Sequence, residues 1–284
     1  GPTSAHHAGR GSVPAQVPRC RRRPGILGSH PGRIVVRYPA TVSLPQSADP
    51  AEAHPHARTG SEAAHNRAII GLVTAGLIAA LLTWAVATGS SALQSFDDEL
   101  TDFTRGWADP LGWPVDLAHL IGIITAPLFS ALAASVLVIV LWLRHLRAAA
   151  GLLALSGLAG VATSETVKAL MGRMRPPGAE QFESDLDKSF PSGHAMEGIY
   201  LYLATGLVLI HLGRAQGRAW MARLGVVLVV IGPMIGLSRL VLGVHWPSDV
   251  LAGWAFGSVV LLAAALILWT PVDRGWEAPA LAPA

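Results

Sequence analysis

The stretch Ser238-Arg239-Leu240-Val241-Leu242-Gly243-Val244-His245-Trp246-Pro247-Ser248-Asp249 sets an Arg, a His and an Asp between two long apolar runs. Ionisable groups at a membrane boundary are costly and mark a functional site by default. Pro247 has φ fixed near the helical value, so a helix is expected to start near Ser248, with Asp249 close behind a His just outside it. An Asp so placed can accept the Nδ1 proton of His245 and leave Nε2 as a nucleophile or a base. Arg239 adds a planar, permanently charged fork that suits a phosphate. The competing reading is a loop with an incidental ion pair.

The chain around this stretch is apolar. Of 284 residues, 51% are hydrophobic and 14% charged, which points to a membrane rather than to a soluble domain. Runs of about twenty apolar residues span a bilayer. The spans are expected at 68–88, 114–143, 148–171, 193–212, 224–237 and 249–269, with Pro271 ending the last. Between the first two, residues 91–113 carry Asp97, Asp98, Glu99, Asp102 and Asp109 among Leu93, Phe96, Leu100, Phe103 and Trp107. Apolar positions three to four apart predict an amphipathic helix at the interface. The fold class is thus all-α, a six-transmembrane-helix bundle with a periplasmic-side amphipathic helix.

Three domains are expected: a disordered tail at 1–64, the six-span domain at 65–271 and a short tail at 272–284. The first holds nine of the 20 prolines and eight arginines against Asp49, Glu52 and Glu62, so the net charge of +3 describes the tail more than the fold. Its run Arg19-Cys20-Arg21-Arg22-Arg23 reads as solvated charge, and no nucleic-acid partner is expected. The start at Gly1-Pro2 reads as a processed or tag-derived end, and the tail is too polar for a secretory signal. Cys20 is the one cysteine, which supports neither a disulfide nor a zinc site.

Arg58, Arg67, Arg144, Arg147, Arg214, Arg218, Arg223 and Arg274 fall on one side if six spans alternate, and that side is expected to be cytoplasmic. The acidic helix, the loop 172–191 and the segment 238–249 then share the opposite face of a plasma-membrane protein. Trp residues near the span ends fit aromatic belts.

Two further groups carry chemistry on that face. Lys168 and Arg175 are seven apart, on one helical face if the helix runs up to Pro176. Pro191-Ser192-Gly193-His194 opens the fourth span: Ser192 suits an N-cap, Gly193 lets an anion approach the backbone, and the helix terminus attracts phosphate beside His194.

Together, Lys168 with Arg175-Pro176, then Pro191-Ser192-Gly193-His194, then Ser238-Arg239 with His245 and Asp249 resemble the three signature motifs of the type 2 phosphatidic acid phosphatase superfamily, in order and spacing. The resemblance covers about 160–255, and the spans extend it to about 68–270. It implies that His245 attacks phosphorus to form a phosphohistidine, with Asp249 orienting it. It also implies that His194 protonates the leaving oxygen and then activates water, and that Lys168, Arg175, Arg239, Ser192 and Gly193 hold the phosphoryl oxygens. Three cations and a helix terminus can stabilise that charge without a metal, so no metal and no cofactor is expected.

The expected substrate is a lipid phosphate or diphosphate presented by membrane lipid: polyprenyl diphosphate, phosphatidylglycerol phosphate or phosphatidic acid, with the first favoured. Oligomeric state is not legible. Glu165 is expected as a buried partner of Lys168. Glu197 either tunes His194 or lines the cavity, and His119, His145 and His211 are structural or interfacial. Asp116 with His119 is open between a lid contact and no role, and Glu183, Asp185, Asp187 and Lys188 read as a solvated loop, with gating of entry as the alternative. The rival readings are a lipid carrier that only binds headgroups and a soluble vanadate-dependent peroxidase; six apolar spans disfavour the second.

Overall fold

A computed structural model describes residues 55–182 and 188–272. Expectations for Arg19 to Arg23, for Arg274 and for the loop acids at 183–187 lie outside the described residues. The described chain is helical, with no strand among those residues. In order it forms α1 (Pro55–Ala87), α2 (Ser91–Ala108), α3 (Trp113–Ile124), α4 (Pro127–Leu143), α5 (Arg147–Met171), α6 (Gly193–Glu197), α7 (Ala204–Ala215), α8 (Ala219–Val241) and α9 (Pro247–Val272). A π-helical turn, Gly198–Leu203, joins α6 to α7 into one span, Gly193–Ala215.

Among the described residues, five helices are long and apolar enough to cross a bilayer, and α3 with α4 makes a sixth span if that bent pair counts as one. Their outer faces carry bare Ile70, Leu77, Leu128 and Leu158, a surface suited to lipid chains rather than water. The sequence reads residues 114–143 as one span, whereas the structure bends it by 50° between α3 and α4. Pro127 is the reason: it has no N–H to donate and forces Ala126 out of the helical region, to φ −57° and ψ 139°. At the chain's start, α1 begins at Pro55, ten residues ahead of the expected domain boundary. At its end, α9 continues past Pro271 to Val272.

Small residues let the spans close up. A Cβ on Gly198 would stand 2.1 Å from the Gly232 carbonyl oxygen, so the π-helical turn and α8 touch backbone to backbone. Gly198→Val is therefore expected to destabilise the protein by about 1–3 kcal/mol. A detergent melt would show this as a lowered Tm, and an unchanged Tm would refute the contact.

Helix α2 lies across the ends of α8 and α9. Its buried positions are Asp97, Thr101 and Ala108, whereas Phe96, Phe103 and Trp107 are exposed. The apolar stripe read from the sequence is thus the face turned away from the protein, as an interfacial helix requires.

Candidate active site

The end of α5, the start of α6 and the junction of α8 with α9 meet at the end of the bundle covered by α2. Here the sequence places all three motifs. Gly172, at φ 59°, ends α5 in the left-handed conformation with its N–H on the Lys168 carbonyl. Lys168 and Arg175 therefore do not share a helical face, contrary to the expectation: Arg175 stands in the loop four residues past the helix. That departure lets it reach across to the third motif, donating to the Val244 carbonyl at 2.8 Å and lying 3.2 Å from His245 Nε2.

Arginine has no lone pair to offer and is always charged. In that contact Arg175 donates and His245 Nε2 accepts, so the ring proton belongs on Nδ1. This is the tautomer that a nucleophilic Nε2 requires. The expected partner of Nδ1, Asp249 Oδ2, lies at 3.6 Å, and the Ser189 hydroxyl lies 3.4 Å from the same nitrogen while donating to that oxygen. Both His245 and Asp249 are buried. Asp249 also accepts from the Trp246 N–H at 2.9 Å, closing half of a capping box at the start of α9.

The second motif behaves as its sequence suggests. The Ser192 hydroxyl caps α6 by accepting from the Ala195 N–H at 3.4 Å, and the Ser192 N–H donates to the Asp249 carbonyl at 3.0 Å. Gly193 leaves room for Lys168, whose Nζ lies 3.5 Å from where a Cβ would stand. His194 stands in the first turn of α6, two residues after the capping Ser192. Arg239 is buried and donates to the Ala118 carbonyl at 3.0 Å and to Ser238 Oγ, with its guanidinium against Gly122 of α3.

Sequence reasoning missed four polar residues that complete the arrangement. Arg173 donates through Nη1 to Asp249 Oδ1 at 2.8 Å and Ser248 Oγ at 2.7 Å, and through Nη2 to Asp97 Oδ2 at 2.7 Å. Asp97 accepts further from the Ser248 N–H at 2.8 Å and its hydroxyl at 2.6 Å. Ser189 is the fourth. The local signals were slight: a third cation inside the first motif, and one acid on the apolar side of α2's acidic stripe.

Glu165 does pair with Lys168, at 3.4 Å, but is 68% exposed in its side chain and not a buried partner. The three-residue spacing fixes the neighbour and not the burial. Glu197 is buried, with Oε1 lacking a hydrogen-bond partner. His119 packs on Phe182 at 5.4 Å between ring centroids, a structural role. Helix α2 adds a brace, since Arg105 donates to the carbonyls of Pro177 at 2.6 Å and Gly243 at 3.1 Å.

Comparison with known proteins gives the chain a family. A sequence model of the PAP2 superfamily matches residues 145–273. YbjG of Escherichia coli K12, whose name assigns it provisionally to the undecaprenyl-diphosphatases, is 31% identical over 186 residues, 62% of this chain and 84% of that protein. The chain belongs to the PAP2 superfamily.

An undecaprenyl-diphosphatase of Sulfolobus acidocaldarius is 35% identical over 111 residues, 37% of this chain. The chain spans about half the length of that relative, 48%. The crystal structure of a transmembrane PAP2-type phosphatidylglycerolphosphate phosphatase from Bacillus subtilis superposes with a TM-score of 0.57 at 22% identity, covering 72% of this chain and 96% of that one. That likeness carries the PAP2 fold: an all-helical membrane bundle.

Proposed function

We propose that this PAP2 protein is a membrane lipid phosphatase that removes a terminal phosphate through a phosphohistidine on His245. One observation carries the reading: a buried imidazole has its Nε2 3.2 Å from the Arg175 guanidinium, at a junction that the start of α6 joins through the Ser192 N–H on the Asp249 carbonyl. A carrier that only holds headgroups needs the cations and not the oriented imidazole.

The chemistry follows from the geometry. The phosphoryl group takes over the Arg175 contact as it reaches His245 Nε2. A P–N bond forms while the bond from phosphorus to the leaving oxygen breaks, and His194 gives that oxygen its proton. His194 then takes a proton from water, the hydroxide attacks phosphorus, and the P–N bond breaks to release phosphate and restore the imidazole. Lys168, Arg175, Arg239 and the capped start of α6 offset the charge gathered on the phosphoryl oxygens. The catalytic unit lies within 65–271.

The names of the relatives from Sulfolobus acidocaldarius and Escherichia coli favour polyprenyl diphosphate as substrate, ahead of phosphatidylglycerol phosphate and phosphatidic acid. Arg144 and Arg147 around the turn from α4 to α5, and Arg214, Arg218 and Arg223 around the turn from α7 to α8, lie at the opposite ends of their helices from the motifs. They support a cytoplasmic N-terminus and an active site at the outer face of the plasma membrane.

Phosphate release from the three lipids, side by side in detergent, tests the reading. Polyprenyl diphosphate should react fastest, and no release from any of them would overturn the assignment. Because the chain's own cations supply the charge stabilisation, EDTA is expected to leave the rate within twofold of the untreated protein. Abolition by EDTA would mean that an ion takes part.

A further inference from the structure

Asp97 and Arg173 have no task in the reaction above, yet both are tied to its centre. A buried ion pair is weak evidence for stability, because apolar replacements often do as well. What such a pair supplies is fixed geometry. Arg173 holds Asp249 Oδ1 with one nitrogen and Asp97 Oδ2 with the other, and its guanidinium lies over the Trp246 ring, 5.5 Å from the centroid. The other Asp249 oxygen, on the His245 side, accepts from Ser189 and Trp246.

The charge count gives this arrangement meaning. Arg173 facing Asp249 alone would neutralise the one carboxylate beside His245. With Asp97 on its far end, the three groups together keep a negative charge. It stands next to an imidazole that becomes cationic when Nε2 bonds phosphorus while Nδ1 keeps its proton. Arg175, 3.2 Å from the other ring nitrogen of His245, is a cation and cannot supply that charge.

We propose that Asp97, delivered by the interfacial helix α2, is a positioning residue: through Arg173 it fixes the Asp249 carboxylate and keeps it negative toward His245. The proposal rests on the phosphatase reading for its kinetic consequence. Its structural consequence stands apart.

Asp97→Asn is nearly isosteric. Its amide oxygen can still accept from Ser248 and cap α9, whereas its NH2 cannot accept from Arg173. The expected result is a kcat lower by about 10- to 100-fold with KM within twofold, on the scale of losing an outer partner of an active-site group. Asp98→Asn, which removes the same charge from an exposed position of α2, should keep wild-type kcat. Asp97→Asn with Arg173→Gln should lose no more than Arg173→Gln alone, since the first acts through the second. Wild-type kcat in Asp97→Asn, an equal loss in Asp98→Asn, or losses that multiply in the double variant would each overturn the proposal.

Protein labelled with 15N-histidine gives a readout that needs no substrate. The His245 ring nitrogens, identified by their disappearance in His245→Gln, should shift in Asp97→Asn and stay put in Asp98→Asn. Unmoved signals in Asp97→Asn overturn the proposal. A shift in Asp97→Asn, together with a wild-type protein that hydrolyses no lipid phosphate, sinks the phosphatase reading alone.

Discussion

His245→Ala is expected to lower phosphate release by at least about 10⁴-fold, because it removes the atom that bonds phosphorus and not merely a charge near it. The neighbours that position it, Ser189, Asp249 and Arg175, stay in place, so binding of the lipid should change far less than turnover. His194→Gln should behave differently on a diphosphate. There the leaving group is a phosphate monoester that departs readily without a proton, so the first half-reaction proceeds while the water attack stalls. Labelled phosphate should then collect on the protein as an acid-labile, alkali-stable adduct. It should be absent from His245→Ala and from the double variant. Wild-type-like turnover in His245→Ala would remove the nucleophile from the account.

The parts of this site that were legible in the sequence are those where chemistry demands a residue type at a fixed spacing. Ser192 caps α6 and Pro247 opens α9 as their types require. Segment-level apolarity likewise gave the spans. Helix ends were less legible, although Pro127 and Gly172 carried the information: a long apolar run hid the bend before Pro127, and the seven-residue spacing of Lys168 and Arg175 suggested a helix that Gly172 had already stopped. The links from Arg173 to Asp97 and to Asp249 each join residues 76 apart in the chain, so no local pattern could announce them. The same holds for Ser189, whose partner Asp249 is 60 residues away.

Arg239→Ala is expected to cost at least about 100-fold in phosphate release, the scale of removing one preorganised charge stabiliser. A second variant separates the charge from its placement. The Arg239 guanidinium lies against Gly122 so closely that a Cβ there would stand 2.5 Å from Nη2 and 2.8 Å from Nη1. Gly122→Val must therefore push the guanidinium aside. The atoms that give way are the far end of a long side chain, so the fold should survive with a nearly unchanged Tm in detergent. The charge remains in the protein, but its donors no longer sit where α3 holds them through the Ala118 carbonyl. Turnover should fall toward that of Arg239→Ala, and Arg239→Lys should not restore it, because an ammonium cannot reproduce a planar fork. If Gly122→Val keeps wild-type turnover while Arg239→Ala loses it, the long-range charge of Arg239 matters and its seat on α3 does not. If both variants fall together at unchanged Tm, the bent span formed by α3 and α4 is part of the phosphate pocket, and the bend at Pro127 is what brings α3 there.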